Sequence, residues 1–219
     1  QIYDPLNQNS IQSFDFGLTS INDINILDSL AFVLYKDGQD FGILKFIYGN
    51  GWEYRDNYKN FPNGMGSIYD VSFNKTSLVI GADSGIFIGQ LNSNLKDPNN
   101  WSSLTNDINF QITLLDIKDD VIMFSSISKL YNYFIDEKTF TEIQFSHDLI
   151  EIKDFILVND SLWVLDQNEL YLKGINNNIS EVYGGSLLSS IVLKDDKILI
   201  GSSKGLIFVD KTSYNELFS

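Results

Sequence analysis

Five times along the chain a polar turn is followed by a run of β-branched and aromatic residues, a second short polar turn and another apolar run. Residues 28–46 read DSLAFVLYKDGQDFGILKF and residues 76–89 read TSLVIGADSGIFIG. The pattern returns as DDVIMFSSISKLYNYF at 119–134, NDSLWVLDQNELYLK at 159–173 and DDKILIGSSKGLIFVD at 195–210. Apolar runs of this length, punctuated by Asp, Asn and Gly, predict strands joined by tight hairpins. The residue just before the second run is Gly42, Gly85, Lys129, Glu169 and Gly205 in turn, at spacings of 43, 44, 40 and 36. A period of about 40 with several short strands per repeat predicts a β-propeller. One small sheet exposes both faces, and only stacking blade on blade buries them.

Each repeat accommodates four strands, A to D. The first blade spans about 20–56, with strands over 20–27, 29–35, 41–48 and 51–56. The others span about 67–104, 111–145, 151–183 and 187–218. The whole chain, 1–219, is thus expected to be one propeller domain or propeller segment of about five four-stranded antiparallel blades, with 1–19 as an N-terminal closing strand or cap. No stretch shows a sustained helical period, and 91–100, LNSNLKDPNN, reads as a long C–D loop. The ends leave two arrangements open. Residues 10–15 resemble the last strand of a preceding blade, yet 213–218 already supply the fifth blade with an outer strand. The array is therefore either a ring closed by its own N-terminus or part of a larger propeller.

The A–B turns carry Asp28, Asn74, Asp119 and Asp120, Asn159 and Asp160, and Asp195 and Asp196. These short side chains bond neighbouring backbone and tolerate left-handed φ, so they are read as turn residues. Calcium binding needs several oxygens converging on one point, and no D-x-D-x-D run occurs.

Charge and composition narrow the partners. The formal net charge of −14, from 29 acidic against 15 basic side chains, comes without a Lys/Arg cluster, which argues against nucleic acid and anionic lipid. No run approaches the roughly 18 apolar residues of a spanning helix, so direct membrane insertion is not expected. With no cysteine, thiol catalysis, disulfides and thiolate metal sites are excluded. The chain opens on Gln1, which we read as a mature N-terminus left by removal of a secretory signal peptide.

Catalytic chemistry finds little foothold. The single histidine, His147, has no second imidazole to share a metal with. Neither a phosphate-binding glycine loop nor a G-x-S-x-G elbow is present. Carboxylates are numerous enough to furnish a glycosidase pair, and Tyr3-Asp4-Pro5 is similar to one opening of five-bladed glycosidases. Trp52, Trp101 and Trp163 fall at matching repeat positions and are read as blade packing; Tyr54, Tyr58 and Tyr69 are the weakest hint of a ligand surface. The N-x-S/T triplets at Asn74, Asn100, Asn159 and Asn178 are read as turn-rich sequence. No catalytic, metal, cofactor-binding or ligand-binding residue is assigned.

Two loop phrases, GLTSINDI at 17–24 and FPNGMGSIYDV at 61–71, resemble the NGLP-S-x-I-x-x-I opening of two-component regulator propeller repeats. The hairpins SLVIGADSGIF (77–87), SLWVLDQNELY (161–171) and KILIGSSKGLI (197–207) resemble the next part of that repeat, and Trp52 and Trp101 its closing aromatic. Blades three and four depart from it, with Lys129 and Glu169 where the repeat has Gly. The resemblance implies a bacterial propeller, secreted, periplasmic or surface-exposed, of the kind found in Bacteroidota-like sensor ectodomains and secretion-associated proteins. The expected function is a non-catalytic binding or interaction module. It is either a glycan-sensing ectodomain segment or a partner in a surface assembly, with a glycoside-acting enzyme as the alternative. Expected partners are a protein or additional propeller blades, with a glycan as the other candidate ligand; no cofactor is expected.

Overall fold

The computed structural model describes residues 2–3, 10–104, 110–145, 148–158, 161–167, 169–173, 179–184, 188–194 and 197–210. His147, Asn159, Asp160, Asn178, Asp195, Asp196 and the expected strand at 213–218 lie outside them. The architecture is all-β, a propeller array of five blade sheets.

A two-stranded ribbon comes first, β1 (Ile2–Tyr3) paired with β2 (Ser10–Gln12). The first blade is β3 (Ser20–Leu27), β4 (Leu30–Asp37), β5 (Asp40–Tyr48) and β6 (Trp52–Tyr58), each antiparallel to the one before. The second is β7 (Ile68–Phe73), β8 (Ser77–Ala82), β9 (Gly85–Gln90) and β10 (Trp101–Ser103). The third is β11 (Leu114–Lys118), β12 (Val121–Ser126), β13 (Lys129–Phe134) and β14 (Thr139–Glu142), in sequential order. The fourth is β15 (Ile152–Val158), β16 (Ser161–Asp166), β17 (Glu169–Lys173) and β18 (Ile179–Gly184). The fifth shows three described strands, β19 (Leu188–Lys194), β20 (Lys197–Ser202) and β21 (Gly205–Asp210). The chain divides into two compact units, residues 1–124 with 132–140 and residues 125–131 with 141–219.

Strand burial explains the sequence pattern. Every residue of β8, SLVIGA, is buried, because blades cover both of its faces, and the run is accordingly almost unbroken apolar. In the first unit, Phe32, Leu34 and Ile43 of the first blade interlock with Val71, Phe73, Leu78 and Ile80 of the second. In the second unit, Trp163, Leu165 and Leu170 do the same with Ile191, Ile198 and Ile200. The long 91–100 loop joins this packing. Leu95 is buried and sits over Gly89, where a Cβ would lie 2.5 Å from it, and Trp101 Nε1 donates to the Leu95 carbonyl at 3.1 Å.

A second kind of link ties blades together. In the first, second, fourth and fifth blades the inner strand carries a register shift, a β-bulge, ending at Asp23, Asp70, Asp154 and Ser190. Asp154 Oδ1 accepts the following amide, Phe155, at 2.8 Å, and its Oδ2 accepts the Ile191 amide of the next blade, also at 2.8 Å. Asp70 repeats this with Val71 at 2.9 Å and Leu115 at 2.6 Å. Between the same two blades the Ser72 hydroxyl donates to Asp116 and accepts from the Ile117 amide.

The turns follow the expected chemistry. Asp28 and Asp119 have φ of 54° and 52°, and Gly85 and Gly205 both have 116°, the left-handed side where glycine is favoured. Gly42 lies inside a strand, as the range 41–48 read from the sequence has it. The first hairpin turns at Gly38, and Gly42 lies inside β5 opposite Tyr35, whose ring fills the space a Cβ would need. In the third blade, where Lys129 replaces Gly, the positive φ moves back to Ile127 at 56°. At the N-terminus β2 pairs with β1, and Phe14 and Leu18 pack against the first blade.

Two outcomes follow from these contacts. Gly85→Val places a β-branched residue at φ 116° and is expected to lower stability by about 1–3 kcal/mol in denaturant unfolding. Asp154→Ala strips two buried-strand amides of a charged acceptor and is expected to cost about 2–4 kcal/mol by the same measurement.

Candidate interaction surface on the first blade

Repeat geometry gives every blade a rear face toward the blade before it and a forward face toward the blade after it. The rear face of the second blade includes Ile68, Val71 and Phe73 on the inner strand and Leu78 and Ile80 beside it, all buried in the first unit. The bulge register identifies Ile21, Ile24 and Ile26 as the equivalent inner-strand residues of the first blade. These three are 55–58% exposed, against 4% or less for their counterparts.

The rest of that rear face has a cover of its own. Ala31, Val33, Tyr35, Leu44 and Phe46 are buried, with Phe14, Leu18 and Trp52 packed against them. Phe14 meets Phe46 edge-on at 4.9 Å between centroids, and Phe16 lies 5.2 Å from Tyr54. Gln12 anchors this strap. Its Oε1 accepts the Trp52 amide at 2.9 Å while its Nε2 donates to the Trp52 carbonyl, so one side-chain amide pairs with the outer strand as a neighbouring backbone would. Farther along, the Thr19 amide donates to the Lys36 carbonyl and the Gly38 amide to the Thr19 hydroxyl. Between the strap and the bare inner strand runs a groove of about 520 Å³, floored by Val33, Leu44 and Phe46 and walled by Phe14, Ile24 and Ile26.

The fifth blade, in the second unit, has exposed apolar residues of its own. Leu206 there is 56% exposed, whereas Ile43 and Ile86, at the same repeat position, are fully buried; Phe208 beside it is 62% exposed.

The residues singled out from sequence do not gather into a site. Trp101 and Trp163 are buried in blade packing, and Trp52 lies half-buried against the strap. Tyr54 stands exposed near Phe16, Tyr58 is buried with its hydroxyl pushed up to about 12, first by burial and then by Asp56, and Tyr69 donates to Asp83 at 2.8 Å. Asn74 spends its carbonyl oxygen on the Thr76 and Ser77 amides, as a turn residue does. Among the described residues no group of three or more His, Cys, Asp or Glu side chains is placed to hold a metal ion, and no helix is long and apolar enough to cross a membrane. The exposed isoleucine strip escaped sequence reasoning because its residues look the same as their buried equivalents. The strap left one trace, the F-D-F alternation at 14–16, which reads equally well as a strand.

No family model matches the chain, and no curated protein matches it in sequence. Solved structures do resemble it in fold. PorZ of Porphyromonas gingivalis, described as an essential bacterial surface component of the type-IX secretion system, aligns over 88% of this chain and 25% of its own, at 16% identity and a TM-score of 0.66. The extracellular domain of BT4673 from B. thetaiotaomicron aligns over 92% of this chain and 28% of its own, at 17% identity and a TM-score of 0.66. The WD40 β-propeller domain of Doa1 aligns over 90% of this chain and 67% of its own, at 16% identity and a TM-score of 0.62. This chain thus spans only about a quarter of the PorZ and BT4673 chains, and what it shares with all three is the propeller fold.

Proposed function

We propose that residues 1–219 act as one propeller segment of the two-component regulator type, a non-catalytic interaction module of a secreted or cell-envelope protein. The observation that carries this reading is the bare isoleucine strip beside the groove of the first blade. Burying one such side chain is worth roughly 1.5–3 kcal/mol, so three at one edge form a strong adhesive strip. The occupant we assign is a blade-type β-sheet presented by another polypeptide. Val71, Phe73 and Ile68 occupy the same repeat positions and are covered by just such a sheet. A second copy of this chain is a poorer occupant, since two molecules each bearing −14 repel. An apolar groove walled by Phe and Ile also suits a protein face better than a glycan, whose hydroxyls need polar partners. That PorZ is a surface component and the BT4673 segment an extracellular domain supports a placement outside the cytoplasm.

A photoreactive amino acid at position 24, in the protein produced by its own host, tests this. The expected result is a cross-link to a strand of another polypeptide, identified by mass spectrometry and abolished by Ile26→Glu. Cross-links confined to a second copy of this chain, or to none, would contradict the assignment.

A further inference from the structure

The forward reach of the bulge aspartates has a different result at the seam between the first two blades. Asp70 and Asp154 each find an amide in the next blade, and the residue before that amide is Leu114 or Ser190, neither of which is anionic. Asp23 makes the same reach toward the second blade, but there the bulge residue is Asp70. The Val71 amide that Asp23 approaches is already engaged by Asp70 Oδ1 at 2.9 Å. The two carboxyl groups come within hydrogen-bonding reach of each other. Asp23 Oδ1 accepts the Ile24 amide at 2.8 Å, while its Oδ2 is shielded from water and has no donor to accept from. A shielded carboxyl oxygen beside a second carboxyl is satisfied when one proton lies between them.

We propose that Asp23 and Asp70 share one proton and form a pH-operated latch between the first and second blades. Burial, reinforced by the charge of Asp23, holds Asp70 well above the usual carboxylate range, and burial raises Asp23 as well. Among the described residues, no cation is recorded as paired with either carboxyl. Asp23 is the one ionisable residue of β3, β7 adds only Tyr69 to Asp70, with its hydroxyl engaged by Asp83, and β8 has none. On β11, Asp116 is engaged by Ser72 and Lys118 is exposed; on β4, Lys36 lies over the Phe41 ring, next to Asp37 at the hairpin turn. With the proton present the pair is a hydrogen-bonded bridge across the seam. Without it, two anions face each other in a partly dry site and push the blades apart.

The sign of the pH effect is fixed by the upward shift. Stability contributed by the pair is fully present below the unfolded carboxyl value of about 3.9 and is lost as pH rises through the folded value. Asp23→Asn puts a permanent N–H donor toward Asp70 and removes one charge, so it should escape this loss. Melting temperatures of wild type and Asp23→Asn between pH 4 and 8 test the latch. The variant is expected to gain on wild type by about 3–5 °C per pH unit while the pair loses its proton, and then to hold that margin. A difference that stays constant across the range overturns the proposal. Infrared spectra of the folded wild type, recorded just above the pH range where ordinary carboxyls ionise, give a second reading that does not depend on the variant folding. A protonated-carboxyl carbonyl band is expected there, and its absence would equally overturn the latch.

Discussion

Face-to-face burial of small sheets is the constraint on which this molecule depends. A four-stranded sheet of six- or seven-residue strands cannot stabilise itself, since half of its side chains must point to each side. Every blade therefore needs a neighbour on both faces, and the sequence meets that need with strands that are apolar on both sides, of which SLVIGA is the clearest. The same constraint bears on the first blade. The first blade answers it halfway: the strap of residues 12–18 covers strands β4 and β5, and the inner strand is left bare. A binding surface thus arises from the repeat itself, as an interface with one side missing.

Polar chemistry sets the register of the stack. Apolar faces alone are tolerant of sliding, whereas an aspartate held at a bulge and bonded to one amide of the next blade admits a single alignment. Placing that aspartate in consecutive blades brings two carboxyls together, and the pair Asp23 and Asp70 is the consequence. Alternating the aspartate with Leu114 or Ser190 avoids the conflict, as the links from Asp70 to Leu115 and from Asp154 to Ile191 illustrate. One residue choice thus converts a fixed tie into a titrating one.

The blade architecture was legible because it rests on short-range pattern. Strands at 20–27, 77–82, 121–126 and 169–173 follow directly from apolar runs bounded by turn residues, and Asp28 and Gly85 adopt the backbone their residue types favour. Gly42 falls inside the strand read at 41–48, but only the structure shows the Tyr35 ring packed over it. The interaction surface was not legible at all. Ile24 and Val71 are the same kind of residue at the same repeat position, and what differs is their exposure. Nor could periodicity show that Gln12, from a segment resembling a strand, would satisfy the edge of β6 with its side chain.

The account's main claim is that equivalent apolar positions in the first and second blades differ in cover. Carbene footprinting of the isolated chain, with labelling read residue by residue, tests this most directly. Heavy labelling of Ile21, Ile24 and Ile26 beside protected Ile68, Val71 and Phe73 is the predicted result. Equal protection of the two sets would show that the first blade is already covered, and would contradict the account.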